Sequence, residues 1–111
     1  MVGVAAVDGS GRVRERGVLA ALGWEHGESL EIRIVRGIAV VHAAPQGRLR
    51  VDERGQIALP GGCRAILGIE PGDRVVLVAL AARGLALVCP TDVAAAWIRT
   101  GISDLPGLFD A

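Results

Sequence analysis

Aromatic residues and lysine are the scarcest of the common residue types in this chain. Trp24, Trp97 and Phe109 are its only aromatic side chains. The chain contains no lysine, and its 12 permanently basic side chains are all arginine. The apolar half of the sequence is therefore mostly Val, Ala, Leu and Ile, which are typical of strands and of an aliphatic core. Sixteen glycines and five prolines interrupt it, so we expect short elements joined by tight turns rather than long helices.

Long apolar runs are missing as well. No run approaches the roughly 18 residues that a membrane-spanning helix needs, and the first residues lack the charged-then-apolar layout of a secretory signal. We therefore expect a cytoplasmic protein without membrane contact. Its 111 residues suffice for one domain that buries about two-thirds of the surface exposed by the unfolded chain.

Cysteine and histidine are too few and too scattered for a metal centre or a redox site. Cys63 and Cys89 have no C-x-x-C spacing, and we expect both to be buried, inert thiols. His26 and His42 stand apart, without further ligands at the spacing of a metal site. A phosphate-binding loop and a nucleophilic serine motif are also missing. The sequence thus predicts no enzyme, no cofactor and no metal.

The sequence contains an internal repeat, and a repeat indicates that the fold is built from similar structural units. Three segments recur in the same order at offsets of 44, 45 and 47 residues. They are Val7-Asp8-Gly9-Ser10-Gly11 with Val51-Asp52-Glu53-Arg54-Gly55, Leu22-Gly23-Trp24-Glu25-His26-Gly27-Glu28 with Leu67-Gly68-Ile69-Glu70-Pro71-Gly72-Asp73, and Arg36-Gly37-Ile38-Ala39-Val40-Val41 with Arg83-Gly84-Leu85-Ala86-Leu87-Val88. Small loop insertions explain the growing offset, so divergent duplication accounts for the pattern.

Each copy predicts two short strands, a short helix and two longer strands. In the first copy these lie at about 4–7, 12–14, 17–22, 30–35 and 38–43, and in the second at about 48–51, 56–59, 61–67, 75–80 and 85–89. The short strands are predicted to form a local hairpin, and Gly23 and Gly68 to end the helices. Some 40 residues of this kind cannot bury a sheet face alone, so the two copies need each other. We expect their hairpins to interleave in a closed β structure without exposed edges.

The second copy carries an extended motif. It contains Val51-Asp52-Glu53-Arg54-Gly55-Gln56-Ile57-Ala58-Leu59-Pro60, then Arg64, then Leu67-Gly68-Ile69-Glu70-Pro71-Gly72-Asp73. This closely resembles the AbrB/MazE/SpoVT family, with its pattern V-D-x-x-G-R-[IV]-x-[IL]-P, a short arginine-bearing helix and L-G-[IL]-x-x-G-D. The resemblance covers about residues 48–90. Residues 1–45 are similar to a degenerate copy, 46–90 to the family repeat, and 91–111 form a C-terminal helical tail.

The resemblance implies a mainly β fold with short helices, a swapped-hairpin (double-psi-like) β-barrel formed by two tandem ββαββ repeats. It also implies a DNA-binding transcriptional regulator that contacts double-stranded DNA through arginines of the first hairpin and the short helix. Carried over position by position, those residues are Arg12, Arg50 and Arg64. The local charge of the same segments adds Arg14, Arg16 and Arg54 as candidate DNA-binding residues. The working unit would be a monomeric pseudo-dimer or a homodimer.

Each copy departs from the family pattern at a DNA-contacting position. Gln56 stands where the pattern has arginine, and the stretch 18–20 is apolar where the second copy has Arg64. Near the place of the motif's proline the first copy has Arg16. Because the two copies differ at these positions, they would make different contacts with the two halves of a DNA site.

Local charge supports nucleic-acid binding, although the chain as a whole is neutral. Residues 1–17 contain three arginines and two carboxylates, a net of one positive charge, and residues 48–64 contain four and two, a net of two. Arg12 and Arg14, two apart on a strand, would present paired guanidinium groups to phosphate or guanine. The alternative is that these arginines are outward strand residues paired with nearby carboxylates. Asp8 and Asp52 are interpreted as turn-stabilising acceptors.

The tail keeps two further hypotheses open. A helix over about 92–99 with the apolar residues that follow would pack back on the barrel, or it would dock on a toxin as an antitoxin tail does. The partner-binding residues would then be Trp97, Leu105, Leu108 and Phe109. A third hypothesis is a scaffold of the same fold that does not bind DNA, which the zero net charge favours.

Overall fold

The structure is a computed structural model that describes the backbone of residues 1–100 and the side chains of residues 1–96. That part of the chain contains eight strands, three α-helices and one 3₁₀ turn. The strands are β1 (Val2–Ala6), β2 (Arg12–Val13), β3 (Ser29–Val35), β4 (Ile38–Ala43), β5 (Leu49–Arg50), β6 (Ile57–Ala58), β7 (Arg74–Leu80) and β8 (Leu85–Pro90). The helices are α1 (Arg16–Leu22), α2 (Gly61–Leu67) and α3 (Thr91–Thr100), and the 3₁₀ turn is Ala81–Arg83.

Six of the strands form one antiparallel sheet in the order β1-β7-β8-β4-β3-β5, and β2 pairs with β6 in a separate two-stranded ladder. The larger sheet curls into a half-barrel. The fold is therefore mainly β with short helices, as predicted.

The local hairpins predicted from 4–7 with 12–14 and from 48–51 with 56–59 are wrong as strand pairings. Strand β1 pairs with β7, β5 pairs with β3, and β2 pairs with β6. Each of these short strands thus lies beside a strand from the other side of residue 45. If β1 and β5 paired within local hairpins, β7 would lose its neighbour β1 and β3 would lose its neighbour β5. The observed pairing is favoured because it covers those two sheet edges.

Both short helices end as predicted, at a glycine in the left-handed region. Gly23 has φ 70° and Gly68 also has φ 70°. At the other end of α1, the Glu15 carboxylate accepts hydrogen bonds from the backbone N–H groups of Gly17 at 2.6 Å and Val18 at 3.3 Å, which satisfies donors that the helix cannot pair. The start of α1, shortly after β2, is thereby fixed, whereas α2 begins after Pro60 without a side-chain cap.

Apolar side chains pack on both faces of the curled sheet. The inner cluster includes Val7, Val13, Leu30, Val51 and Ile57, all at most 5% exposed. The outer cluster consists of buried side chains of β4 and β8, namely Ile38, Val40, Leu87 and Cys89. Val93 and Ala94 of α3 pack against the outer cluster. The start of the tail therefore packs back on the sheet, as one of the two tail hypotheses predicts.

The two cysteines differ in exposure. Cys89 is fully buried, and burial raises the pKa of its thiol to about 12. Cys63 is half-buried, so its predicted burial is wrong: it lies on α2, where the buried side chain is Leu67. Both thiols are free, as expected from their spacing.

We expect one fast and one slow thiol in a native reactivity assay with a thiol-reactive dye. At pH 8 a thiol with the pKa of Cys89, about 12, is ionised in roughly one molecule in 10,000, and the thiolate is the reactive form. Cys63 should react first, and Cys63→Ser should remove the fast phase. Two fast equivalents in the folded protein would contradict this assignment, and unfolded protein provides the control for total thiol.

Candidate nucleic-acid interface

Two turns with the same hydrogen-bond pattern lead into β2 and β6. In each, one aspartate Oδ1 accepts two backbone N–H groups, from the residues two and four positions on. The pairs are Asp8 with Ser10 and Arg12 (2.9 Å each), and Asp52 with Arg54 (2.9 Å) and Gln56 (2.8 Å). The predicted turn-stabilising role of Asp8 and Asp52 is confirmed. Rigid turns fix the backbone from which the neighbouring arginines project.

The pKa of Asp8 lies below its ordinary 3.8, chiefly because its carboxylate accepts the Arg12 backbone N–H. Desolvation opposes this, and the Ser10 N–H and the Arg12 charge lower the pKa further. Since the folded-state pKa is lowered, the turn's stabilisation is present above pH 3.8 and is lost as the pH falls through the lower folded value. NMR titration of the side-chain carboxyl ¹³C should give a midpoint below 3.8, and Arg12→Pro, which removes the N–H, should raise it. A midpoint at or above 3.8 in the native protein would contradict this.

The short ladder of β2 and β6 directs two arginines outward. Arg12 lies opposite Ala58, and Val13 lies opposite Ile57. Val13 is 2% exposed, whereas Arg12 and Arg14 on either side of it are exposed. The predicted common face of Arg12 and Arg14 thus follows from the burial of the residue between them.

Arg12 also contacts a carboxylate of the other turn. Its Nε lies 3.7 Å from Oδ2 of Asp52, and the two side chains are 46% and 35% exposed. The two residues line an open cleft of about 320 Å³ together with Glu53, Arg54 and Gln56. An exposed ion pair at this distance stabilises by about 0–1 kcal/mol. Two arginines and two carboxylates therefore meet in one cleft, with little energy holding Arg12 to Asp52.

Arg64 has a structural contact as well as a charge. Its Nε donates to the Leu59 carbonyl at 3.0 Å, and its guanidinium lies directly over Gly11, where any side chain would overlap it. Gly11 has φ 78°, a conformation that glycine adopts without strain. Arg64 therefore joins α2 to the turn that precedes β2, and it remains partly exposed.

The other predicted arginines are less closely grouped. Arg16 is exposed at the start of α1. Arg50 is exposed on the edge strand β5, and its Nη1 donates to the Gly27 carbonyl at 3.3 Å. Arg54 is exposed in the turn before β6. We use the name arginine face for Arg12, Arg14, Arg54 and Arg64, which lie around β2 and β6.

The helices contribute unequally to this surface. Leu19 and Arg64 occupy equivalent positions, because the Trp24 N–H donates to the Leu19 carbonyl at 3.0 Å and the Ile69 N–H donates to the Arg64 carbonyl at 2.9 Å. The first helix thus has an apolar side chain where the second has a cation, as the sequence indicates. A ligand lying across these two positions would meet a cation at Arg64 and an apolar side chain at Leu19; the cation of α1 is Arg16, at the start of that helix.

The alternative that strand arginines pair with nearby carboxylates is met at the Arg12–Asp52 ion pair, and Glu53 lines the same cleft. These contacts depend on β2 pairing with β6, which brings together residues some 40 positions apart. Sequence reasoning missed the Arg64 contact with Leu59 and Gly11. Among the partner-binding residues, Trp97 lies in α3, and Leu105, Leu108 and Phe109 lie outside the described residues.

Comparisons add no family to these observations: no protein-family model matches the chain, and no curated protein matches it. Among the described residues, no helix is long and apolar enough to cross a membrane. That part of the chain also contains no group of three or more His, Cys, Asp or Glu side chains placed to hold a metal ion.

Proposed function

We propose that the protein is a transcriptional regulator that binds double-stranded DNA with its arginine face. The observation that carries this is the exposure of Arg12 in β2 and of Arg14 directly after it, on either side of buried Val13, with Arg54 beside Arg12 and Arg64 over Gly11. Planar guanidinium groups on a rigid strand suit phosphate oxygens and the guanine edge. The hydrogen-bonded turns keep the backbone beneath these side chains in place, so that only the side chains have to be ordered on binding.

We also propose that the fold is a swapped-hairpin barrel of two tandem repeats, of the AbrB/MazE/SpoVT kind. If β1 is equivalent to β5, β7 to β3 and β8 to β4, the sheet order reads the same from both ends. Matching hydrogen bonds support this: the Gly27 N–H donates to the Val51 carbonyl at 2.8 Å, and the Gly72 N–H donates to the Val7 carbonyl at 2.7 Å. One chain then supplies both halves of the DNA-binding unit.

The ion pair between Arg12 and Asp52 does not prevent DNA binding in this proposal. Both side chains are partly exposed, so the guanidinium can exchange the carboxylate for a phosphate at a cost of about 1 kcal/mol or less. The carboxylates of Asp52 and Glu53 would repel a phosphate that approached their side of the cleft.

The direct test is DNA binding by Arg12→Gln/Arg14→Gln, measured by fluorescence anisotropy on a duplex from upstream of the protein's own gene. Loss of two phosphate contacts should weaken binding by roughly 10- to 100-fold. The matched control, Arg36→Gln/Arg83→Gln, removes the same charge from the two hairpin tips and should bind within about twofold of the wild type. Equal losses in both variants, or no loss in the first, would contradict the assignment of the site.

A second candidate is a scaffold of the same fold that does not bind nucleic acid. It is favoured by the equal number of cations and carboxylates in the cleft at Arg12 and by zero formal net charge. This candidate predicts no binding to any duplex at low ionic strength. Toxin capture by the tail remains a prediction that depends on residues outside the described part of the chain.

A further inference from the structure

The six-stranded sheet ends at β1, and the side of β1 that faces away from β7 is called the free edge here. Within the part of the chain that the structure describes, no strand pairs with this edge. The Ala79 N–H donates to the Met1 carbonyl at 2.8 Å, and the Val7 N–H donates to the Asp73 carbonyl at 2.8 Å. Hydrogen bonding alternates along an antiparallel strand, so the backbone groups of the even-numbered residues point to the free edge. These residues are Val2, Val4 and Ala6.

The side chains of the same residues are apolar and exposed. Val2 is 60% exposed and Val4 is 57% exposed, and Ala6 is exposed as well. The cross-strand partners of the two valines on β7, Val78 and Val76, pack against the outer cluster. Because cross-strand partners share a face of the sheet, Val2 and Val4 continue the apolar outer face to the free edge.

The opposite edge of the sheet carries charge where the free edge has none. Its last strand is β5, and the 44-residue offset of the repeat places Arg48 and Arg50 where the first copy has Val4 and Ala6. Both arginines are exposed. Charged side chains are a common means of keeping a sheet edge from pairing with another chain. Strand β1 contains no charged side chain, so the free edge lacks the protection that β5 has.

We propose that two copies of this chain pair through their free edges, antiparallel and related by a two-fold axis at Val4. Val4 then lies opposite Val4 of the other copy, and Val2 of each copy lies opposite Ala6 of the other. Both members of every pair direct N–H and C=O groups to the free edge, so each pair exchanges two backbone hydrogen bonds. This register uses the whole of β1, and each copy offers the same surface, as in most dimers of identical chains.

A second copy is the occupant that the composition of β1 favours. The strand contains neither proline nor a charged side chain, so two such strands have all their backbone donors and do not repel each other. Ala5 belongs to the inner cluster, and the alternating valines of the two copies would therefore meet on the outer face. Pairs of β-branched side chains across two strands add to the stability of a sheet.

The proposed interface is small. A strand of five residues spans about 17 Å, which places the contact at the lower end of interface sizes, below about 1,200 Å². We therefore expect a reversible dimer with a Kd in the micromolar range or weaker. The contact uses no residue of the arginine face, so the proposal does not rest on DNA binding.

The test is sedimentation equilibrium of the whole protein without DNA, between about 5 and 500 µM, a range that suits a small interface. The average mass of the wild type should rise from that of one chain toward that of two. Val4→Arg places like charges opposite each other and should weaken dimerisation at least about 10-fold. The matched control is Ile66→Arg, at an apolar side chain that is 71% exposed on α2, and it should dimerise like the wild type. Circular dichroism reports whether each variant is folded.

Disulfide cross-linking tests the register. In a Cys63→Ser background, where the remaining Cys89 is buried, Val4→Cys should link two copies under a mild oxidant. The Cα atoms of directly opposed, hydrogen-bonded residues lie about 5.5 Å apart, which a disulfide can span. Val2→Cys should not link them, because the two cysteines would lie four positions apart along the strands, or about 14 Å.

Three results would overturn the proposal. The first is the mass of a single chain at every concentration, which would leave the free edge without a second copy. The second is equal dimerisation of Val4→Arg and the wild type, or an equal loss in Ile66→Arg, which would place the contact elsewhere. The third is equal cross-linking of Val4→Cys and Val2→Cys, which would exclude a two-fold axis at Val4.

Discussion

Ile57→Ala is expected to lower the free energy of unfolding by about 2–5 kcal/mol, the usual range for truncating a buried aliphatic side chain. Ile57 is 5% exposed, belongs to the inner cluster and lies opposite Val13 in the short ladder. It also borders a small apolar space beneath the ladder, together with Trp24 and Val18. The cavity left by truncation would therefore lie directly under the arginine face.

The matched control for this prediction is Ile66→Ala. Ile66 is 71% exposed on α2, so the same truncation should change stability by only about 0.5 kcal/mol or less. Denaturant unfolding of the two variants and the wild type measures the difference. Comparable losses in both variants would mean that the ladder does not lie over the core as described.

Gly47→Ala is expected to destabilise the protein by about 1–3 kcal/mol or more, because an added Cβ would overlap the backbone carbonyl of Leu30. Backbone on both sides cannot move aside as a flexible side chain would. Gly47 lies in the connection between β4 and β5, where its N–H donates to the Ala44 carbonyl at 3.0 Å. The close approach is what allows Leu49 to pair with Leu30, so β5 should detach from β3 in this variant.

Gly62→Ala provides the contrasting control. A Cβ at Gly62 would meet nothing within 4 Å, and alanine favours a helix over glycine by up to about 1 kcal/mol. This variant should therefore be as stable as the wild type or slightly more so in thermal and denaturant unfolding. If Gly47→Ala behaved the same way, the tight packing of the connection against β3 would be wrong.

The sequence allowed prediction of elements whose causes are local. Gly23 and Gly68 end the helices because only glycine adopts φ near 70° at low cost, and Asp8 and Asp52 form their turns with the next four residues. Turn residues and apolar runs placed β4 and the helix α2 with the bounds that the structure has. Such elements can be predicted because the interactions that form them involve residues only a few positions apart in the sequence.

Features that depend on long-range pairing could not be predicted in the same way. A short strand such as β1 has the same apolar pattern whether it pairs with β2 or with β7, and register is decided by the edges it covers. Contact between Arg12 and Asp52 follows from that pairing, and opposite charge alone does not tell which nearby carboxylate an arginine meets. The half-burial of Cys63 depends on which side of α2 faces the sheet. The apolar pattern of a seven-residue helix is too short to predict that side.

The unequal helices bear on how the proposed regulator would meet DNA. Leu19 and Arg64 stand at equivalent positions, so a duplex lying across the two-stranded ladder would gain a charged contact on one side and an apolar one on the other. We therefore expect a preference for an asymmetric DNA site rather than a palindrome. Replacing Leu19 by arginine should raise affinity for symmetric duplexes severalfold in the anisotropy assay, and unchanged affinity would contradict the equivalence of the two positions.

The central claim is that arginines around β2 and β6 bind DNA phosphates, and the salt dependence of DNA affinity tests it most directly. If all four arginines of the face contact phosphate, log K should fall with log salt at a slope of about −3.6, or roughly 100-fold between 50 and 200 mM. Arg12→Gln/Arg14→Gln should reduce that slope by about two units, while Arg36→Gln/Arg83→Gln should not change it. A wild-type protein that fails to bind at 50 mM salt, or a slope that is the same in all three proteins, would contradict the claim.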